Sequence, residues 1–189
     1  ICACCPRCSE RWAAPRKLTS VSDARRQRAR SLAADALAQG DAVGWFERLY
    51  LEAAAGEAVV PWADLRPNPH LVTWLARRGG SWARALVVGC GLGDDAEYLA
   101  SNGIDEVVAF DVSGMAIAQA RHRFPSSRVT YAVEDGFALP DRWRGVFDLV
   151  VEISTLQVLP PELRRPLIAS ISNCLAPGGT LLVVSRGRG

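Results

Sequence analysis

The sequence predicts an α/β protein built on a doubly wound, Rossmann-like and mostly parallel sheet, with helices preceding the sheet in the chain. Three observations carry this. Five short apolar runs occur between residues 86 and 184, and they are continuous rather than alternating, as strands buried on both faces require. Helical segments separate them, the order that builds parallel βαβ units. The first run ends in a glycine turn, Gly89-Cys-Gly-Leu-Gly93, which opens a helix. At 189 residues, 49% hydrophobic and 22% charged, the chain is long enough for one domain with a sizeable core.

Residues 1–20 carry Pro6 and Pro15 and no apolar period, so a flexible arm is expected. Residues 1–30 hold eight Arg or Lys against Glu10 and Asp23, a net +6, and the rest of the chain is −4. No aromatic ladder or recognition motif accompanies that charge, so it reads as a solvated tail and nucleic acid is not the expected partner. Cys2, Cys4, Cys5 and Cys8 crowd this arm. No second Cys or His pair follows at the interval that wraps a metal ion, so no metal site is expected. No stretch approaches ~18 apolar residues and the start at Ile1 is not a Lys-flanked apolar h-region. The expectation is a soluble chain in a reducing, cytoplasmic setting, with no membrane partner.

Residues 21–80 form an expected helical cap segment. Ser22 or Asp23 caps a helix with Leu32, Ala36 and Leu37 on its apolar face, and Gly40 stops it. Asp41 caps a second, with Trp45, Phe46, Leu49, Tyr50 and Ala53 on one side, ended by Gly56. Pro61, Pro67 and Pro69 enforce an extended crossing before a helix with Leu71, Trp74 and Leu75, closed by Gly79 and Gly80.

Residues 81–189 then alternate. Strands are expected at 86–88, 106–110, 129–133, 146–153 and 180–184. Helices are expected at 95–101, 113–123 and 161–175, the last with Leu163, Leu167, Ile168, Ile171 and Leu175 inward. Pro166 sits inside that last helix and should cost it a hydrogen bond or kink it. The fifth strand is followed only by Ser185-Arg-Gly-Arg-Gly189. An apolar strand there sits near a sheet edge, which natural chains usually cover, so the sheet is expected to be truncated after its fifth strand.

In doubly wound sheets the ligand lies across the carboxyl ends of the strands, and the residues leaving those ends form a pattern. After the first strand come Gly89, Gly91 and Gly93, which let a helix N-terminus approach a ligand closely, with the small Cys90 carried in the turn. After the second comes Asp111, 18 residues past Gly93, where an acid can accept ribose hydroxyls. After the third come Glu134-Asp135-Gly136, and after the fourth, Glu152 to Gln157. A dinucleotide fingerprint wants glycine at position 94, where this chain has Asp94 followed by Asp95. Two carboxylates there repel a pyrophosphate and suit a cation. S-adenosylmethionine, a nucleoside with a sulfonium and an ammonium but no phosphate, fits that charge better than a nicotinamide dinucleotide.

Through VVGCGLG, VVAFDVS, YAVEDGFALP, FDLVVEISTLQVLP and LAPGGTLLVV, in that order, residues 83–185 resemble the class I S-adenosylmethionine-dependent methyltransferases. The resemblance implies Gly89, Gly91 and Gly93 beside the methionine part, Asp111 on the ribose, and Val112 and Met115 near the adenine. It also implies Asp135 and Gly136 at the adenine edge, and Glu152 with Ser154 near the methyl. PWADLRPNPHLVTWL and GCGLGDDAEYLA are similar to the thiopurine and thiol/halide branch, which implies a small soft nucleophile as methyl acceptor and a segment around Trp62 that closes over the cofactor. Trp62 as a packing residue is the alternative. Two departures stand out. Val87 occupies the place, two residues before the first glycine, where the class usually has an acid, leaving Asp94 or Asp95 for the methionine ammonium. The two antiparallel strands after the fifth are absent.

The implied reaction needs alignment more than acid–base help. Glu152 is the first candidate for a proton-taking role, with His70 and Tyr50 behind it. No Asn-Pro-Pro-Tyr-type signature follows the fourth strand, which disfavours methylation of DNA bases. The competing readings are a non-catalytic nucleotide-binding or RNA-interacting module using the basic arm, and an NAD-dependent oxidoreductase, against which Asp94 speaks.

Overall fold

The computed structural model describes residues 23–78 and 81–187. The arm with its cysteines, the Ser22 and Asp23 cap, and the Gly79-Gly80 stop lie outside the described positions or side chains. The chain opens with α1 (Asp23–Ala38), α2 (Trp45–Ala54) and α3 (Pro69–Arg78). It continues through β1 (Arg84–Val88), α4 (Asp94–Ser101), β2 (Glu106–Asp111), α5 (Gly114–Arg123) and β3 (Thr130–Val133). A 3-10 turn (Asp141–Trp143), β4 (Phe147–Ile153), the single-turn α6 (Thr155–Val158), α7 (Pro161–Ser172) and β5 (Leu175–Val184) complete it.

The five strands form one sheet in the order β3-β2-β1-β4-β5, all parallel. Side chains along β1 divide between two cores, as a pleated strand buried on both faces must do. Ala85 and Val87 pack with Leu71, Ala96, Leu99, Ile117 and Ala120, from α3, α4 and α5. Leu86 and Val88 pack with Trp143, Leu156, Leu159, Leu167 and Ile171 on the opposite face. Fully buried leucines such as Leu99 and Leu149 each contribute about 1.5–3 kcal/mol. A third cluster joins Ala29, Leu32 and Ala36 of α1 to Trp45, Phe46, Leu49 and Tyr50 of α2, and reaches the sheet domain at Ala116.

The first two helices, α1 and α2, end as expected. Beyond α1, Asp41 N donates to Ala36 O and Gly40 N to Leu37 O; beyond α2, Glu57 N donates to Glu52 O and Gly56 N to Ala53 O, the paired bonds of a Schellman stop. Several expectations need correction. Asp41 does not cap α2 directly: its carboxylate accepts from Val43 N and Gly44 N, ordering a turn before a helix that begins at Trp45. Leu37 and Ile168 are exposed, because the buried stripe of α1 runs through Ala29 and that of α7 through Leu167 and Ile171. α7 ends at Ser172, so Leu175 opens β5 rather than closing the helix. Pro166 leaves the helix continuous; it sits on the exposed side, where the carbonyl that loses its bond is open to solvent. Between Leu175, opposite Phe147, and Thr180, opposite Leu149, the ladder slips and residues 176–179 loop out.

Candidate functional site

β1 delivers the chain into the glycine turn beside the carboxyl end of β2. Cys90 N donates to Phe110 O at 2.9 Å and Gly93 N to Cys90 O at 3.0 Å. Gly93 heads α4 with φ of 90°, a left-handed conformation that side-chain-bearing residues avoid. A Cβ on Gly91 would lie 2.8 Å from the Tyr50 hydroxyl, so α2 presses directly on the turn. Asp111 ends β2 and its carboxylate is fixed by two amides. Oδ2 accepts from Gly91 N at 2.9 Å and Oδ1 from Ser113 N at 2.9 Å. Burial pushes this carboxyl above its usual range, and those amide bonds pull it back. Each carboxylate oxygen offers two lone pairs, so acceptor capacity remains, and Asp111 lines the cleft.

The cleft has two lobes. The first, about 680 Å³ with its open mouth, is walled by Val88, Phe110, Asp111, Val112, Asp135, Gly136, Phe137 and Leu159, and roofed by Phe46 and Tyr50 of α2. The second, about 580 Å³, is bounded by Gly89, Cys90, Gly91, Asp94 and Asp95 and by Ala63, Asp64, Arg66 and Asn68 of the proline-rich crossing. Tyr50, Trp62, Gly89, Ile153 and Ser154 belong to both, so they form a waist. There Trp62 Nε1 donates to the Tyr50 hydroxyl at 3.3 Å, and Trp62 also packs edge-on against Trp45 and Phe46. Ser154 at the waist has φ of 68°, a strained backbone of the sort found where function holds it.

The structure thus gathers most of the expected site residues. Three of those expected around the cofactor stand elsewhere. Gly93 shapes the turn without lining a lobe. Met115 packs against the cap cluster, and its amide donates to Glu47. Glu152 is wholly buried under α6: Oε1 accepts from Thr155 N at 2.6 Å and Leu156 N at 3.0 Å. Among the described residues its Oε2 has no partner, and burial raises its pKa. A carboxyl held under the floor, lining neither lobe, is not placed to take a proton from a substrate.

The two aspartates differ sharply. Asp94 forms a bidentate ion pair with Arg123, at 2.7 and 2.8 Å, and Arg123 also donates to Leu92 O. Its charge is therefore answered, and the expected repulsion of a pyrophosphate by two carboxylates is halved. Asp95 Oδ1 accepts from Asn68 N at 2.6 Å, and burial pushes its pKa up to about 6. The half-buried Cys90 thiol is pushed well above its usual value by desolvation first. His70 is exposed and lines neither lobe. The Tyr50 hydroxyl is buried and its pKa is raised, again by desolvation first. Sequence reasoning missed Val43, Phe46, Phe137, Leu159 and Leu167 as cleft walls. Phe137, an aromatic directly after Asp135-Gly136, was the one visible signal; helical periodicity marked Phe46 as buried without saying against what.

Among the described residues no helix is long and apolar enough to cross a membrane. The chain is 31% identical over 134 residues to thiocyanate methyltransferase 1 of Arabidopsis thaliana, covering 68% of this chain and 57% of that protein. It is 29% identical to the probable thiol methyltransferase 2 of the same plant, covering 74% of this chain and 65% of that protein. The chain therefore spans somewhat over half the length of these curated relatives. The crystal structure of the N-methyltransferase NodS from Bradyrhizobium japonicum WM9 with S-adenosyl-L-homocysteine superposes with a TM-score of 0.55 at 29% identity, covering 65% of each chain. A structure reported for disulfide-to-thioacetal conversion in echinomycin biosynthesis shares the fold, with a TM-score of 0.65 at 24% identity over 73% of this chain and 59% of that one. The methyltransferase domain family matches residues 85–179, half of the chain, from β1 with its glycine turn through Asp111 and Asp135 to the start of β5. On that match the chain belongs to the methyltransferase domain family, in the class I S-adenosylmethionine-dependent group.

Proposed function

We propose that the protein transfers a methyl group from S-adenosylmethionine to a small-molecule nucleophile, in a reducing cytoplasmic setting; among the described residues Cys90 and Cys174 are free thiols. The observation that carries this is the Asp111 carboxylate, locked by two amides at the head of a two-lobed cleft whose far lobe holds the acid Asp95.

The cleft fits the cofactor. Asp111 has acceptor capacity for two ribose hydroxyls. Phe110, Val112, Phe137 and Leu159 supply an apolar slot for a purine, and Asp135 and Gly136 stand at its edge. A Cβ on Gly136 would lie 2.7 Å from Leu167 Cδ1, so a side chain there would have to displace the end of that leucine. With Asp94 bound to Arg123, Asp95 is the acid available to an ammonium, in place of the one Val87 lacks. Bound there, S-adenosylmethionine supplies a methyl already activated on a sulfonium, so the protein's task is alignment.

Trp62 and Ser154 stand at the waist and are the residues to meet the acceptor. Of the proton-taking candidates among the described residues, Glu152 lies beneath the floor, and the Tyr50 hydroxyl, raised in pKa, accepts from Trp62. The acceptor must arrive already nucleophilic. A thiolate or a thiocyanate-like anion meets that requirement, and the curated relatives named for thiocyanate and thiol methylation support the same class.

Calorimetry with S-adenosylhomocysteine is the direct test. Binding should be clear in the wild type and weaker by about 100-fold in Asp111→Ala, the loss of two charge-assisted hydrogen bonds. A folded protein that does not bind S-adenosylhomocysteine sinks the proposal. Given binding, methylated product from thiocyanate or a small thiol tests the acceptor class.

A further inference from the structure

The cleft is assembled from two parts of the chain. Its floor lies within residues 85–179, the stretch the family matches, while Val43, Phe46, Tyr50 and Trp62 come from the segment before it. The join between them is polar and lies beside Asp111. Glu47, next to Phe46 on α2, reaches the head of α5. There its Oε2 accepts from the Ser113 hydroxyl at 2.5 Å and from Met115 N at 3.1 Å. Ser113 is wholly buried. Its Oγ caps α5 by accepting from Ala116 N at 3.0 Å, and its own N–H is one of the two amides that hold Asp111. One turn on from Glu47, Tyr50 O accepts from Gln119 Nε2 at 3.3 Å.

A carboxylate so near Asp111 is electrostatically unwelcome, and the charge of Glu47 contributes to the raised pKa of Asp111. The two hydrogen bonds it receives must offset that repulsion, and hydrogen bonds to a charged acceptor are the strong kind. Resting on the reading of Asp111 as the acceptor of ribose hydroxyls, we propose that Glu47 is a positioning residue that registers α2 on the cofactor cleft. Through Ser113 it fixes the Asp111 carboxylate beneath Phe46 and Tyr50, so that docking of the cap and binding of the nucleoside are one coupled event. Such coupling is reciprocal.

The test combines calorimetry, with S-adenosylhomocysteine and with adenosine, and hydrogen exchange of the α2 amides. In the wild type, S-adenosylhomocysteine should slow exchange across Trp45–Ala54. Glu47→Ala should weaken both ligands by about tenfold and lose most of that protection. Glu47→Gln, whose amide oxygen can accept from the same two donors, should stay within about twofold of wild type. Ser113→Ala should cost as much as Glu47→Ala, and the double variant no more than either, since the two act in series. Unchanged affinity in Glu47→Ala, a loss that glutamine does not restore, or additive losses would each refute the proposal. So would α2 exchange that ignores the ligand, a measurement needing no variant. A wild type that binds neither ligand refutes the cofactor reading as well, whereas a wild type that binds beside an indifferent Glu47→Ala refutes Glu47 alone.

Discussion

Asp94 and Asp95 are neighbours in the chain and part company in the structure. Asp94 turns to Arg123 and is neutralised; Asp95 turns to the cleft, with a pKa of about 6. Because burial raises the Asp95 pKa above its usual 3.8, the folded state binds this proton more tightly than the unfolded chain. The stabilisation is full below pH ~4 and is lost as pH rises through ~6, by up to about 3 kcal/mol. Chemical denaturation at pH 4 and pH 7 should therefore show Asp95→Asn gaining on the wild type at the higher pH. A bound ammonium reverses the preference by favouring the ionised carboxyl. At pH 6, S-adenosylhomocysteine binding should release part of a proton, seen by calorimetry in buffers of different ionisation enthalpy, and Asp95→Asn should abolish that release. The pairing of Arg123 with Asp94 was invisible in the sequence, where they lie 29 residues apart with a strand between them.

Element by element, what was legible was whatever local chemistry decides. Continuous apolar runs gave the strands, Gly40 and Gly56 gave the helix stops, and Asp111 marked a strand end. Where tertiary packing decides, reading failed. α6 is one turn long and has no period to detect; it is held because Glu152 Oε1 collects the amides of Thr155 and Leu156. Glu152 is thus a structural cap, and Glu152→Gln should cost less than about 1 kcal/mol. Glu152→Ala, which leaves a cavity and two unmet amides, should cost about 3 kcal/mol; denaturant midpoints separate the two. Pro166 did not bend α7, since its missing bond faces solvent. Replacing it with alanine restores the donor to the Glu162 carbonyl and should raise stability by about 1 kcal/mol, read as a higher melting temperature.

For the whole molecule, the third hydrophobic cluster ties α1 and α2 to the sheet domain through Ala116, Leu92 and Val158. Tryptophan fluorescence, in which Trp45 and Trp62 report on the cap, and far-UV dichroism should follow one unfolding transition. Two separated transitions would show the cap to be an independent unit. S-adenosylhomocysteine at 100 times its dissociation constant should stabilise the folded state by about 2.7 kcal/mol, moving the melting point by roughly 5–11 °C. The doubly wound parallel sheet was foreseeable from the alternation of strands and helices; the division of the cleft was not, because no sequence period records which cap side chains meet over a strand end. That division bears on time as well as affinity. A nucleoside seated in one lobe with its amino-acid tail in the other would bend around the Tyr50–Trp62 contact, and its departure would be slowed until those rings part. Residence would then be timed by the breathing of the cap, and stopped-flow displacement should give a dissociation rate that slows with solvent viscosity and hardly responds to salt.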